Sequence, residues 1–293
     1  MWVGAQLNLG LPYYTLYYSV ALGCEWMLKA IVTNDDGVHS RSLRALAESL
    51  ASRGWDVVVA APLGNWSGYS KSIGRFRGNR VYRFESRGVR FFTGDMPPAA
   101  LVGTAIDIAG FEPDIVVSGI NYGPNLGIYD FFSSGTIGGA LEAALRGFKS
   151  VSISSACREE ETDCLPEALS ISLAVVETSV ETLSSSAGLM VVNIPRSPRG
   201  FKVTRPCRRV PRFSGEIGEE GSLLVEKFDH SRLFSSEHDS CDGRLFSMGY
   251  IPVSLYKIDN GWIHPLDPSR DGYLKAVEDI LNYKIFPSAG KQF

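Results

Sequence analysis

The segment that most restricts the fold is Lys29-Ala-Ile-Val-Thr-Asn-Asp-Asp-Gly-Val-His-Ser40, an apolar run that ends abruptly on two adjacent carboxylates and a glycine. A short apolar run closed by a turn signal predicts a buried strand. Leu43, Leu46, Ala47 and Leu50 behind it have helical spacing over 40–52. Asp35 and Asp36 are therefore expected where a strand becomes a helix. In an open parallel sheet, ligands bind in the crevice outside the carboxyl ends of the strands. Two carboxylates held side by side raise each other's pKa unless a cation stands between them. A hard divalent ion, Mg²⁺ or Mn²⁺, suits that place. On this motif alone two other readings stay open, since Asp-Asp-Gly is also a common turn and a phosphoacceptor signalling domain carries an acidic pair after its first strand.

The rest of the chain supplies the alternation that a parallel sheet needs. Asp56-Val-Val-Val-Ala-Ala61 predicts a second buried strand and completes a βαβ unit. It ends at Pro62, and the polar, glycine-bearing loop Leu63-Gly-Asn-Trp-Ser-Gly-Tyr-Ser-Lys-Ser72 leaves on the same edge as the two acids. Arg80-Val-Tyr-Arg-Phe84 and Val89-Arg-Phe-Phe92 pattern as a hairpin. A helix is expected over 97–109 and a third parallel strand at Ile115-Val-Val-Ser118. Its exit, Ser118-Gly-Ile-Asn-Tyr-Gly-Pro-Asn-Leu-Gly127, is rich in Gly and Asn. Ser133-Ser-Gly-Thr-Ile-Gly-Gly-Ala140 then leads into a helix ending near Arg146. Ser134, Gly135 and Thr136 at that helix start offer N–H groups, hydroxyls and the positive end of a dipole, which suits a phosphate and equally suits a plain N-cap. A strand at 151–154, a helix over 166–183 and a strand at 189–193 continue the pattern. From 195 to about 255 no helical period is visible and β-hairpins are expected, before an amphipathic helix over 271–283.

Composition narrows the class. With 293 residues, 44% of them hydrophobic, the chain can bury a sizeable core. A net charge of −3 gives no reason to expect a nucleic acid polymer or an anionic membrane as partner. The cluster Arg205, Arg208, Arg209 and Arg212 reads as a solvated or subunit-facing surface. The five cysteines contain no C-x-x-C and suggest neither a zinc site nor a disulfide framework, which points to a reducing cytoplasm; only Cys157 and Cys164, seven apart, are left open as a pair. The stretch before Met27 is too short and too rich in Tyr to span a bilayer, and it has no basic leader. It reads as an extension or an arm packing on a partner.

Taken together, the strand-end loops resemble those of the SurE (survival protein E) family of metal-dependent phosphatases. The likeness rests on Thr33-Asn-Asp-Asp-Gly-Val-His39, Ala61-Pro-Leu-Gly-Asn-Trp-Ser-Gly-Tyr-Ser70, the segment Ser118 to Gly127, Ser134-Gly-Thr136 and, more weakly, Asp242 followed by Gly249-Tyr-Ile-Pro-Val-Ser254. The resemblance implies an α/β fold: a Rossmann-like three-layer core with a mostly parallel sheet at 28–195, an N-terminal extension at 1–27, and a β-hairpin arm with a C-terminal helix at 196–293 that serves oligomerisation. It implies one divalent ion per subunit held by Asp35, Asp36, the Ser67 hydroxyl and the Asn121 side-chain oxygen. Asn125, Ser134, Gly135 and Thr136 would hold phosphoryl oxygens, and Asp35 and Asp36 would be catalytic. His39 is expected to cap or support the site rather than act as base. The implied substrates are nucleoside 5′- and 3′-monophosphates, and the implied assembly is a homodimer or homotetramer. Gly94-Asp-Met-Pro-Pro-Ala99 and Leu63-Gly64 depart from the family pattern, which leaves base and sugar preference open.

The rival class is a non-catalytic receiver-like or nucleotide-binding module. A receiver needs an Asp at the end of its third parallel strand, where this chain has Ser118-Gly-Ile-Asn121. A dehalogenase-type phosphatase needs Asp-x-Asp after the first strand, and no P-loop signature is present.

Overall fold

A computed structural model describes residues 27–74, 78–183, 188–208, 210–218, 223–229, 240–259, 262–267 and 272–287. The extension over 1–26, Arg209 and residues 230–239 of the expected arm lie outside the described residues.

The first strand, β1 (Lys29–Thr33), is buried on both faces: Ala30 and Val32 join one apolar cluster and Ile31 another. An apolar run covered on both sides is the signature of a parallel strand between two helical layers. Helix α1 (Arg41–Ser52) buries Leu43, Leu46, Ala47 and Leu50, the stripe visible in the sequence. The chain then forms β2 (Asp56–Pro62), the hairpin β3 (Tyr82–Ser86) and β4 (Val89–Gly94), and helix α2 (Pro98–Asp107). Strand β5 (Ile115–Tyr122) follows, then α3 (Gly127–Ser133), α4 (Gly135–Leu145), β6 (Ser150–Ser155), α5 (Leu165–Thr182) and β7 (Gly188–Ile194). The last part contains β8 (Phe201–Val203), β9 (Arg212–Ile217), β10 (Leu223–Asp229), α6 (Asp242–Ser247), β11 (Ile251–Asp259), β12 (Trp262–Pro265) and α7 (Gly272–Ile285).

The sheet runs β12-β11-β7-β6-β5-β1-β2-β4-β3, with β8 added beside β11. The six strands from β7 to β4 are parallel, β3 is antiparallel to β4, and β11 is antiparallel to β7 and β12. One face is covered by α1, α5 and α7 and the other by α2 and α4, which gives the expected α/β three-layer core. From β1 the chain moves outward through β2 and β4, then α2 carries it back across to β5 on the other side of β1. The order therefore reverses between β1 and β5, and that is where the topology opens a crevice.

The region after 195 differs from its sequence pattern in two ways, while the expected C-terminal helix is present as α7. It is not all hairpin: β11 joins the core sheet against β7, and the six-residue helix α6 precedes it. Its neighbour β8 pairs in parallel with β11, so only β9 and β10 form a separate two-stranded ribbon. The apolar face of α7 packs within its own chain, with Leu274, Val277 and Leu281 buried and Asn282 exchanging two hydrogen bonds with the backbone of Phe201.

The cysteine reading is corrected. Cys157 pairs with Cys164, and Cys207 pairs with Cys241 across 34 residues, their Cα atoms 6.1 and 5.1 Å apart. Residues 205 and 241 meet in a parallel bridge, a contact that spacing alone does not reveal. The argument for a reducing compartment rested on unpaired cysteines and loses that support. No helix among the described residues is long and apolar enough to cross a membrane.

Candidate active site

Asp35 and Asp36 leave the end of β1 at the reversal point. Asp35 is almost wholly buried. Its carboxylate accepts a hydrogen bond from the Thr136 hydroxyl and faces the N–H groups of Gly135 and Thr136 at the start of α4. The approach is too close for a side chain at 135: a Cβ there would lie 2.8 Å from Asp35 Oδ2 and 3.1 Å from the Trp66 carbonyl oxygen. The β2–β3 loop closes over the same point, because Trp66 N–H donates to the Asp35 carbonyl at 2.7 Å. The site is thus built where the first strand, the loop after the second and the start of α4 converge.

Burial raises the pKa of Asp35, and the Thr136 hydroxyl and the α4 amides partly oppose that. Burial, with the neighbouring Asp35 charge second, pushes Asp36 up to about 7, offset in part by the Tyr122 N–H. Among the described residues, no cationic side chain contributes to either shift. Asp35 is buried and Asp36 half-buried, and adjacent carboxylates so placed are costly without a counter-ion; a cation between them offsets both the desolvation cost and the repulsion.

The other expected ligands lie on the adjoining strand ends. Asn121 is buried at the end of β5, one residue from Tyr122, whose N–H is 3.5 Å from Asp36 Oδ2. Asn121 Nδ2 donates to the Gly123 carbonyl at 2.7 Å, which commits the nitrogen to the protein and fixes the amide orientation. Ser67 is exposed on the β2–β3 loop, next to Trp66, with its N–H on Asn65 Oδ1. Two carboxylates, an amide oxygen and a hydroxyl are hard donors of modest total charge, so the residues present fit a divalent ion such as Mg²⁺ or Mn²⁺. A second cluster of potential ligands, Cys207, Cys241 and Asp242, is a poor rival, because its two sulfurs are bonded to each other.

The expected phosphate-binding residues divide into two groups. Ser134 caps α4 with its hydroxyl on the Ile137 N–H, and Thr136 is engaged by Asp35, so this helix start is partly occupied by the protein's own carboxylate. Asn125 lies in the segment between β5 and α3. His39 is exposed on the turn after the acids. Two participants escape the sequence patterns, Ser154 and Asn193; with Asp242, which the resemblance singles out without a role, they are buried and hold the segment that carries Asn125. For Ser154 and Asn193 a signal exists, since each is a polar residue at the carboxyl end of an apolar parallel strand.

The family model for survival protein SurE matches residues 30–212, more than half of the chain. This chain belongs to the SurE family. It is 36% identical over 205 residues to the 5′-nucleotidase SurE of Anaeromyxobacter sp. (strain Fw109-5), covering 69% of this chain and 74% of that protein. It is 31% identical over 242 residues to the 5′-nucleotidase SurE of Archaeoglobus fulgidus, covering 79% and 92%. The crystal structure of the SurE protein from Aquifex aeolicus superposes with a TM-score of 0.65 at 29% identity, over 79% of this chain and 94% of that one. The segment matched to the SurE family contains every candidate residue from Asp35 to Asn193. Asp242, Cys241 and α7 lie beyond it.

Proposed function

We propose that this SurE-family chain is a metal-dependent phosphomonoesterase that hydrolyses nucleoside 5′- and 3′-monophosphates. The observation that carries the reading is the Asp35–Asp36 pair, one carboxylate buried and the other half-buried, with no cationic side chain contributing among the described residues, at the reversal point of a parallel sheet. The relatives named 5′-nucleotidase supply the substrate class.

Asp35, Asp36, Ser67 and Asn121 would hold one divalent ion. When bound, that ion supplies charge to polarise a phosphoryl oxygen and to acidify a nearby water. The protein's part is positioning. Thr136 and the α4 amides fix the Asp35 carboxylate, and the Gly123 carbonyl fixes the Asn121 amide. One of the two Asp residues orients the attacking water and takes its proton. Asn125, with the 134–136 helix start and its dipole, balances the charge that develops on the phosphoryl oxygens. No covalent intermediate is needed.

The β9–β10 ribbon is proposed to join subunits into a homodimer or homotetramer. All of β9 is exposed, including Phe213 and Ile217, and an isolated two-stranded ribbon is marginal in water.

The reading is tested by Asp36→Asn, which keeps the side-chain shape and removes the charge. Phosphate release should fall to background while the circular dichroism spectrum and melting temperature stay close to wild type. Turnover retained in that variant would contradict the assignment.

A further inference from the structure

The stretch between β5 and α3 has no regular structure, yet its N–H groups find specific acceptors. Gly123 donates to the Ser155 carbonyl at 2.8 Å, Leu126 to Asp130 Oδ2 at 2.9 Å and Gly127 to Asp242 Oδ2 at 2.7 Å. Asn125 is held most completely. Its N–H donates to Asn193 Oδ1 at 2.7 Å, and its carbonyl accepts from Asn193 Nδ2 at 2.9 Å. Its own Nδ2 donates to Ser154 Oγ at 2.8 Å. One residue is thus gripped at both backbone polar groups and at its side chain.

The two gripping residues are register partners on β6 and β7, side by side at the carboxyl ends of neighbouring parallel strands. Both are buried, at 1% exposure for Ser154 and 2% for Asn193. A buried polar side chain is costly unless hydrogen-bonded, and the partner both share is Asn125. We propose that Asn193 and Ser154 are positioning residues that pre-set the Asn125 amide to receive a phosphoryl oxygen. The inference rests on the reading of Asn125 as a phosphate contact. An amide nitrogen carries two hydrogens. Ser154 takes one, which fixes the amide plane and leaves the other for an acceptor from the ligand. Holding the donor in place before binding removes the ordering cost that a freely rotating amide would pay on capture.

The test is calorimetric binding of inorganic phosphate to the full chain in the presence of Mn²⁺. The proteins compared are wild type, Asn125→Ala, Asn193→Ala, Ser154→Ala and the double variant Asn125→Ala/Asn193→Ala. Loss of one hydrogen bond to an anion should weaken binding about tenfold in Asn125→Ala. Asn193→Ala and Ser154→Ala should each weaken it severalfold. Because they act through Asn125, the double variant should bind no more weakly than Asn125→Ala alone. Wild-type affinity in both positioning variants, or a full additive loss in the double variant, would overturn the proposal. Should Asn193→Ala fail to fold, Ser154→Ala, which removes a single oxygen, enters the same cycle with Asn125→Ala and decides it. Absent phosphate binding by wild type, or unchanged affinity in Asn125→Ala, would overturn the phosphate reading of Asn125 itself and this proposal with it.

Discussion

Asp35 is buried and Asp36 half-buried, which separates both from surface carboxylates, and the residues around them show how the chain tolerates it. The Thr136 hydroxyl donates to Asp35, so Thr136→Val, which keeps the branched shape, leaves that carboxylate without one of its donors. A hydrogen bond to a charged group contributes about 1.5–3 kcal/mol, so the activity of this variant should fall about ten- to a hundredfold with a weaker requirement-saturating affinity for Mn²⁺. Steady-state rates measured across a Mn²⁺ titration check this, and wild-type values would show that Thr136 is only a helix-start residue. Asp242 gives a pH prediction away from the acidic pair. Burial pushes its carboxyl from the ordinary 3.8 up to about 6, against three backbone N–H donors. The folded state therefore holds this proton more tightly than the unfolded chain does. Its contribution to stability is greatest below pH 4 and is lost as pH rises through 6, by on the order of 3 kcal/mol at most. Denaturant midpoints of wild type and Asp242→Asn should converge or cross over that window. A pH-independent difference would contradict the shift.

At the scale of elements, most strands and helices before 195 follow from local pattern, because apart from α3 and the alternating hairpin strand β3 each is either continuously apolar or has a clear helical stripe. Leu43, Leu46 and Leu50 on α1 are an example, and the expected ends lie close to those observed. The two short helices were not legible. In α3 the Gly127 start looks like more of the Gly-Asn loop, and its first N–H is satisfied by Asp242, 115 residues away. In α6 only six residues are helical, too few to show a period. The partner of β11 was hidden for the same kind of reason: an apolar strand does not announce which edge of a sheet it will extend. Likewise the acidic pair was visible in the sequence, whereas the grip of Ser154 and Asn193 on Asn125 depends on parallel register. α7 makes a quantitative claim at this scale. Leu281 is fully buried against the core, so Leu281→Ala should destabilise the chain by about 2–5 kcal/mol in urea unfolding, with little change in phosphate affinity. A loss below about 1 kcal/mol would mean that the helix packs elsewhere in solution.

For the whole molecule, the sheet places its chemistry and its exposed ribbon in different parts of the chain. Sedimentation at micromolar concentration should show a dimer or tetramer, and Phe213→Glu with Ile217→Glu on exposed β9 should shift it toward monomer. A wild-type monomer would remove the assigned role of the ribbon. Catalysis is the larger claim, and one measurement addresses it most directly. Phosphate release is followed from a panel of 5′- and 3′-nucleoside monophosphates after chelation with EDTA, and again after Mg²⁺ or Mn²⁺ is restored. The stripped protein should release no phosphate, and release should recover with the metal. A folded protein that releases no phosphate with either ion would contradict it and favour a nucleotide-binding module, while release undiminished by chelation would contradict the metal role of Asp35 and Asp36.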